Sequence, residues 1–285
     1  MNVLAVDIGG TKFTLATFEG GRMTRRQSHA TDAAGGRDWM LQQIAGIVTK
    51  WRAELAFERC GIGFGGPVNF ADQAIALSTH VGGWRDFRLG DWLRDVAGAP
   101  VVMDNDANVG ALGEGRYGAG VGASPLFYMT LSTGIGGGIL VNGEVLRGAD
   151  SWAGEIGHIP IEPEGPSCLC GSNGCLERLC CGLWLARDHG RTAQELLTDP
   201  QFVRGYVRHL ARGLKAAVML LNPAKIVIGG GISKAGDRLF VPLREELRRQ
   251  VPAWSGARLS VEPAALGDDS VLWGALALAA GTQAR

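Results

Sequence analysis

One local arrangement occurs twice in this chain and limits its fold more than any other feature. An apolar run at residues 2–8 ends in Asp7-Ile8-Gly9-Gly10-Thr11-Lys12, and a second apolar run follows over 11–18. A run at 126–131 ends in Ser132-Thr133-Gly134-Ile135-Gly136-Gly137-Gly138, and another follows at 139–142. Short apolar runs bounded by glycine and polar residues predict buried strands joined by tight turns. No short fixed period links the two copies, so the pattern reads as a structural duplication rather than a solenoid.

Helical stretches separate the strands. Met40, Leu41, Ile44, Ile47, Val48 and Trp51 form a stripe that predicts a helix over 37–54. A strand is expected at 60–64, a helix at 88–96 and a strand at 100–103. Asp104-Asn105-Asp106-Ala107-Asn108 then opens another helix, since Asp and Asn are good caps. After the second copy come a Gly- and Cys-rich segment at 150–182, a helix at 202–221 and a strand at 225–228 ending in Gly229-Gly230-Gly231. A helix at 237–249, a strand at 257–262 and a helix at 270–281 close the chain. Four glycines between Gly115 and Gly122 mark a boundary. The expected organisation is an N-terminal α/β domain over 1–117 and a C-terminal α/β domain over 118–267.

Composition narrows the function. Of 285 residues, 28 are Lys or Arg and 28 are Asp or Glu, so the net charge is zero and favours neither nucleic acid nor an anionic membrane as partner. The start, Met-Asn-Val-Leu-Ala-Val-Asp, has no basic leader, and the apolar stretch 270–280 is too short to span a bilayer. A cytoplasmic protein is expected. Glycine is abundant, 44 of 285, about twice the usual share. It gathers at strand ends, where a bare backbone lets a ligand come close.

Five segments carry chemistry. In Asp7-x-Gly9-Gly10-Thr11-Lys12 the turn offers backbone N–H groups and the Thr11 hydroxyl to a phosphate, and Asp7 is placed to orient a hydrated Mg²⁺. The hydroxyl-and-glycine turn after Leu131 repeats that logic. A carboxylate among residues 104–108 suits a general base, ionised at neutral pH because an ordinary Asp titrates near ~3.9 and a helix N-terminus favours its charge. Cys168, Cys170 and Cys175 lie within eight residues, ten beyond His158. Three thiolates and an imidazole complete a closed tetrahedral set for structural zinc, a better reading in a cytosolic chain than disulfides. Glu155 and Glu177 flank that set and are placed to accept hydrogen bonds from sugar hydroxyls. Gly229, Gly230 and Gly231 form a loop able to pass under a nucleoside. Gly61-x-Gly63-x-x-Gly66 mimics a dinucleotide fingerprint but leads into Pro67 and a polar loop, not a helix, and is rejected. No Gly-x4-Gly-Lys-Ser/Thr sequence occurs.

Together these residues resemble the ROK family of sugar kinases and related repressors, within the actin–hexokinase superfamily, over almost the whole chain. The most specific part is Glu155-x-Gly157-His158 followed by the Cys-x-Cys-Gly-x-x-Gly-Cys-x-Glu run ending at Glu177. The resemblance implies a two-domain actin-like, ribonuclease-H-like ATPase fold, an active cleft between the domains, and a last helix, about 268–285, returning to the first domain. It implies ATP-dependent phosphorylation of a hexose at its primary hydroxyl, glucose first, with Mg²⁺ and structural Zn²⁺. Fructose, mannose and N-acetylated amino sugars are the alternatives. Asp106 matches the catalytic base. Gly66, Asn69, Asn105, Glu155, His158 and Glu177 match the sugar side. Gly9, Gly10, Thr11, Lys12, Thr133 and Gly134 match the phosphate-facing segments, and Gly229 to Gly231 the nucleoside side. His158, Cys168, Cys170 and Cys175 match the zinc ligands. Many relatives carry Pro-Gly-Pro-Val-Asp where this chain has Gly65-Gly66-Pro67-Val68-Asn69, and an Asn that touches sugar where His80 aligns. A homodimer or homotetramer is expected by the same resemblance. A sugar-sensing regulator is the rival class, but such relatives carry a helix-turn-helix before the first strand, which this chain is expected to lack.

Overall fold

The structure, a computed structural model, describes residues 1–32, 34–78, 81–256 and 258–281. His80 lies outside them. The chain forms two compact units. One holds Met1–Arg116, Arg147–Ala153 and the segment from Asp269 onward; the other holds Tyr117–Leu146 and Gly154–Asp268. Among the described residues, no helix is long and apolar enough to cross a membrane.

The first unit contains β1 (Asn2–Ile8), β2 (Lys12–Glu19), β3 (Arg22–Ala30), α1 (Gly36–Arg52), β4 (Arg59–Phe64), the two-residue strands β5 (Val68–Asn69) and β6 (Ala74–Ile75), α2 (Leu89–Ala97), β7 (Val101–Asn105) and α3 (Asp106–Tyr117). Its sheet runs β3-β2-β1-β4-β7, with β1 to β3 an antiparallel meander and β4 and β7 parallel to β1. Val3, Leu4, Ala5 and Val6 are wholly buried, as a central strand covered on both faces requires. The edge strand β3 has no buried residue and carries Arg22, Arg25 and Arg26, charges that blunt edge pairing. In α1 the predicted stripe turns inward, with Met40, Ile44, Ile47, Val48 and Trp51 buried.

The second unit repeats the plan. It holds β8 (Leu126–Leu131), β9 (Ile135–Val141), β10 (Glu144–Val145), α4 (Leu176–Cys180), α5 (Gly182–His189), α6 (Ala193–Leu196), α7 (Pro200–Leu221), β11 (Lys225–Gly229), α8 (Asp237–Gln250), α9 (Ala253–Gly256) and β12 (Ser260–Pro263). The order β10-β9-β8-β11-β12 again sets an antiparallel meander beside two parallel strands. One difference from expectation is informative. β9 begins at Ile135, not at 139, and Gly136, Gly137 and Gly138 pair with Thr130, Met129 and Tyr128 of β8. These glycines belong to the strand. At Gly137 a Cβ would press on the Phe127 ring and the Gly154 carbonyl, so the absent side chain serves packing.

The last helix, α10 (Ser270–Gly281), packs on β1 and β4 of the first unit. Contact is backbone to backbone: a Cβ at Gly61 would meet the Ala275 carbonyl, one at Gly274 the Val109 carbonyl, and one at Gly113 the Ser270 carbonyl. Gly61 and Gly63 of the rejected fingerprint thus let a helix lie flat on the sheet, and β4 leads into an irregular turn and then β5, not a helix.

Candidate active site

Strand β7 ends at Asn105, so Asp106 is the first residue of α3. The polar residues at this junction divide their tasks. Asp104 is fully buried; its Oδ1 accepts from the Asn105 N–H at 2.8 Å and from Asn108 Nδ2 at 3.0 Å, and its Oδ2 accepts from Arg147 Nε at 2.8 Å. Asn105 Oδ1 accepts from the Ala107 N–H at 2.9 Å, and its Nδ2 donates to the Gly66 carbonyl at 3.0 Å. Asp104 and Asn105 thus both serve the start of the helix. The Asp106 carboxylate stands near Gly65, where a Cβ would lie 3.4 Å from Asp106 Oδ2 and 3.4 Å from the Gly9 Cα. Gly65 was not singled out by sequence reasoning, although the doubled glycine before Pro67 was a legible sign of close backbone approach.

The β1–β2 turn meets the same place. The Gly9 N–H closes the turn onto the Lys12 carbonyl at 2.9 Å, and the Gly65 N–H donates to the Ile8 carbonyl at 2.7 Å. Asp7 pairs with Thr14 on one side and Gly63 on the other. Burial, then the nearby Asp106 and Asp269 charges, push its carboxyl up to about 7, against the opposing pull of Lys12 and Arg26. Asn69 is engaged locally: its amide donates to the Asp72 carboxylate and its Oδ1 accepts from the Asp72 N–H at 3.1 Å.

The raised Asp7 carboxyl makes the folded state prefer the protonated acid. That contribution is complete below pH 3.8 and is lost as pH rises to about 7. In metal-free buffer, Asp7→Asn is expected to raise the unfolding free energy more at pH 8 than at pH 4, by a difference on the order of 1–4 kcal/mol. Calorimetric scans at the two pH values check this, and an equal effect at both would contradict it.

In the second unit the turn from Ser132 to Gly134 joins β8 to β9. The Ser132 carbonyl accepts from the Gly182 N–H at 2.7 Å and the Thr133 carbonyl from the Leu183 N–H at 3.2 Å. In a trans peptide the N–H points opposite to the C=O. With both carbonyls tied into the first turn of α5, the Thr133 and Gly134 N–H groups face the other way, as anion cradling requires. Glu177 braces the turn: its Oε2 accepts from the Ile135 N–H at 2.8 Å, and a Cβ at Gly134 would lie 2.9 Å from it. Gly230 has φ +86°, and a Cβ there would press on the Leu131 backbone. Gly229 to Gly231 thus run directly beside the turn, with Gly231 3.8 Å from Ser132 Oγ by the same measure.

His158, Cys168, Cys170 and Cys175 converge, with their ligand atoms all within 4.8 Å of one another. Zn–S bonds of about 2.3 Å at tetrahedral angles separate two sulfurs by about 3.8 Å. Cys170 Sγ and Cys175 Sγ stand 3.6 Å apart, and Cys168 Sγ lies 3.9 Å from His158 Nδ1, so the donor set fits zinc. All six cysteines are free. Burial, with its neighbouring thiols, pushes the Cys175 thiol up to about 12, whereas the Ser172 N–H lowers that of exposed Cys170. Glu155 precedes the short helix Ile156–His158, and its Oε2 lies 3.9 Å from His158 Nε2. Burial raises its carboxyl, with a smaller opposing effect from His158. Cys180 and Cys181 are buried core thiols.

Comparison with known proteins covers almost the whole chain. The ROK family profile matches residues 3–282. A glucokinase of Halalkalibacterium halodurans is 36% identical over 277 residues, covering 85% of this chain and 84% of its own. A ROK hexokinase from Thermus thermophilus superposes with a TM-score of 0.85 at 33% identity, covering 98% of each chain. A ROK family glucokinase from Streptomyces griseus, solved with glucose and AMPPNP, gives 0.85 at 29% identity over 98% of this chain and 99% of its own.

Proposed function

The chain belongs to the ROK family, and from that premise we propose that it is an ATP-dependent sugar kinase acting on the primary hydroxyl of a hexose, glucose first. The observation that carries the reading is the position of Asp106. It is the first residue of α3, and a Cβ on Gly65 would lie 3.4 Å from its Oδ2 and 3.4 Å from the Gly9 Cα of the β1–β2 turn. In this reading Asp106 accepts the proton of the sugar hydroxyl, whose oxygen then attacks the γ-phosphorus while the bond to the β-phosphate oxygen breaks. In the first unit, Asn105 and Gly66 line the sugar side and Gly10, Thr11 and Lys12 face phosphate. In the second, Glu155, His158 and Glu177 take sugar hydroxyls, Thr133 and Gly134 face phosphate through N–H groups, and Gly229 to Gly231 approach the nucleoside. Mg²⁺, when bound through water to Asp7, would neutralise charge on the phosphates. Zinc, held by His158, Cys168, Cys170 and Cys175, would fix the segment that presents Glu155 and Glu177.

Sugar identity is the finer question. Relatives of similar likeness carry the names glucokinase and hexokinase, so a panel decides it. Coupled ADP release with Mg-ATP is expected with glucose, and more weakly with fructose, mannose, N-acetylglucosamine or N-acetylmannosamine. A higher kcat/KM for another sugar would replace glucose as substrate. Silence across the panel in a folded, zinc-loaded protein would overturn the kinase reading.

A further inference from the structure

We propose that Arg147 is a positioning residue for the phosphoryl-transfer step, acting on Asp106 through the buried Asp104. The inference rests on the kinase reading above and adds a residue that the motif pattern does not reach. Arg147 begins the segment Arg147–Ala153, which is flanked in sequence by second-unit residues but belongs to the first unit. Three interactions hold the segment there. Arg147 Nε donates to Asp104 Oδ2 at 2.8 Å, its guanidinium lies 3.6 Å over the Phe70 ring, and Ser151 Oγ accepts from the Phe70 N–H at 3.2 Å. The Ala153 N–H closes the segment onto the Arg147 carbonyl at 2.9 Å.

Its target is well chosen. Asp104 is fully buried, and Arg147 is its cationic partner. With that charge balanced, Asp104 holds two groups at the junction, the Asn105 N–H and the Asn108 side chain. Asn108 depends on this bond, because its own Oδ1 is buried without a hydrogen-bond partner among the described residues. One residue separates Asp104 from Asp106, so any shift of the strand end passes straight to the base. A buried ion pair is by itself weak evidence for a stability role. Here it sits where an error of about 1 Å is worth roughly 100-fold in rate. Arginine suits the task because a planar guanidinium stacks on Phe70 while a directional N–H meets the carboxylate, which an ammonium does not reproduce.

The experiment compares wild type, Arg147→Met, Asp104→Asn and the Asp104→Asn/Arg147→Met double variant. It reads kcat, KM for ATP, the equilibrium sugar dissociation constant and the melting temperature. Removing one partner leaves a buried charge or an unpaired cation and is expected to destabilise the fold. The double variant leaves neither and keeps the comparison valid if a single variant unfolds. The expected result is a double variant that melts near wild type, binds sugar and ATP within about threefold, and turns over roughly 10- to 100-fold more slowly. A folded double variant with wild-type kcat would overturn the proposal and leave the pair as charge balance alone. Failure of the kinase reading looks different: wild type then releases no ADP with any sugar, and this inference falls with it.

Discussion

Asp106→Asn is expected to lower kcat by roughly 10²- to 10⁴-fold while sugar binding stays within about threefold. The amide is nearly isosteric with the carboxylate but takes up no proton at neutral pH. The substitution keeps the size of the side chain, and Asp104 and Asn105 still accept N–H groups at the helix start. The melting temperature should therefore change little. It also removes a negative charge that pushes the Asp7 carboxyl up, so a small gain in stability at neutral pH accompanies the lost turnover. Coupled ADP release and calorimetric sugar titration give the two numbers. A kcat within tenfold of wild type would place the base elsewhere.

Loss of zinc is the second large effect. Elemental analysis should find about one zinc per chain, and Cys175→Ala should abolish it, since three ligands hold the ion far less tightly than four. Cys175 is wholly buried and immediately precedes α4, which carries Glu177 and through it the Ile135 N–H. Releasing that residue loosens both the segment with His158 and the turn at Thr133. Structural zinc contributes several kcal/mol or more to small metal-held segments, so a fall in melting temperature of about 10 °C is expected on chelation, with weakened nucleotide binding. Thiol protons must leave when the metal binds, so zinc retention should fall as pH drops. A metal-free chain that melts like the loaded one would refute the site.

How much of this was legible in the sequence depends on the range of the interaction. The convergence of His158, Cys168, Cys170 and Cys175 was fully legible, because the four residues lie within eighteen positions and their chemistry is specific. The duplicated meander was legible from its two strand–turn–strand units. Glycine was read less well, because one residue type serves two purposes. At Gly134 and Gly230 the bare backbone shapes a turn, whereas at Gly137, Gly61 and Gly274 it admits a neighbouring ring or helix. Period and composition do not separate these uses; the partner across the sheet does. The polar run 104–108 showed that something beyond capping was present but not that Asp104 would pair with Arg147. Arg147 gave no local sign at all, since its partner lies 43 residues away and the pairing exists only in the folded chain.

The position of α10 sets an order of events during synthesis. β1, β4 and β7 leave the ribosome early, yet one face of their sheet is covered by a helix made after the whole second unit. At about 5–20 residues per second, the 153 positions from Arg116 to Asp269 take roughly 10–30 s to appear. For that interval the nascent first half presents an apolar sheet face, with Gly61 and Gly63 exposed where Ala275 and Val271 will later lie. The second unit, encoded in Tyr117–Leu146 and Gly154–Asp268, ends before α10 and is able to complete its own core first. A chaperone that shields sheet surfaces has its window before the last dozen described residues emerge, and truncations within α10 should aggregate rather than merely lose activity.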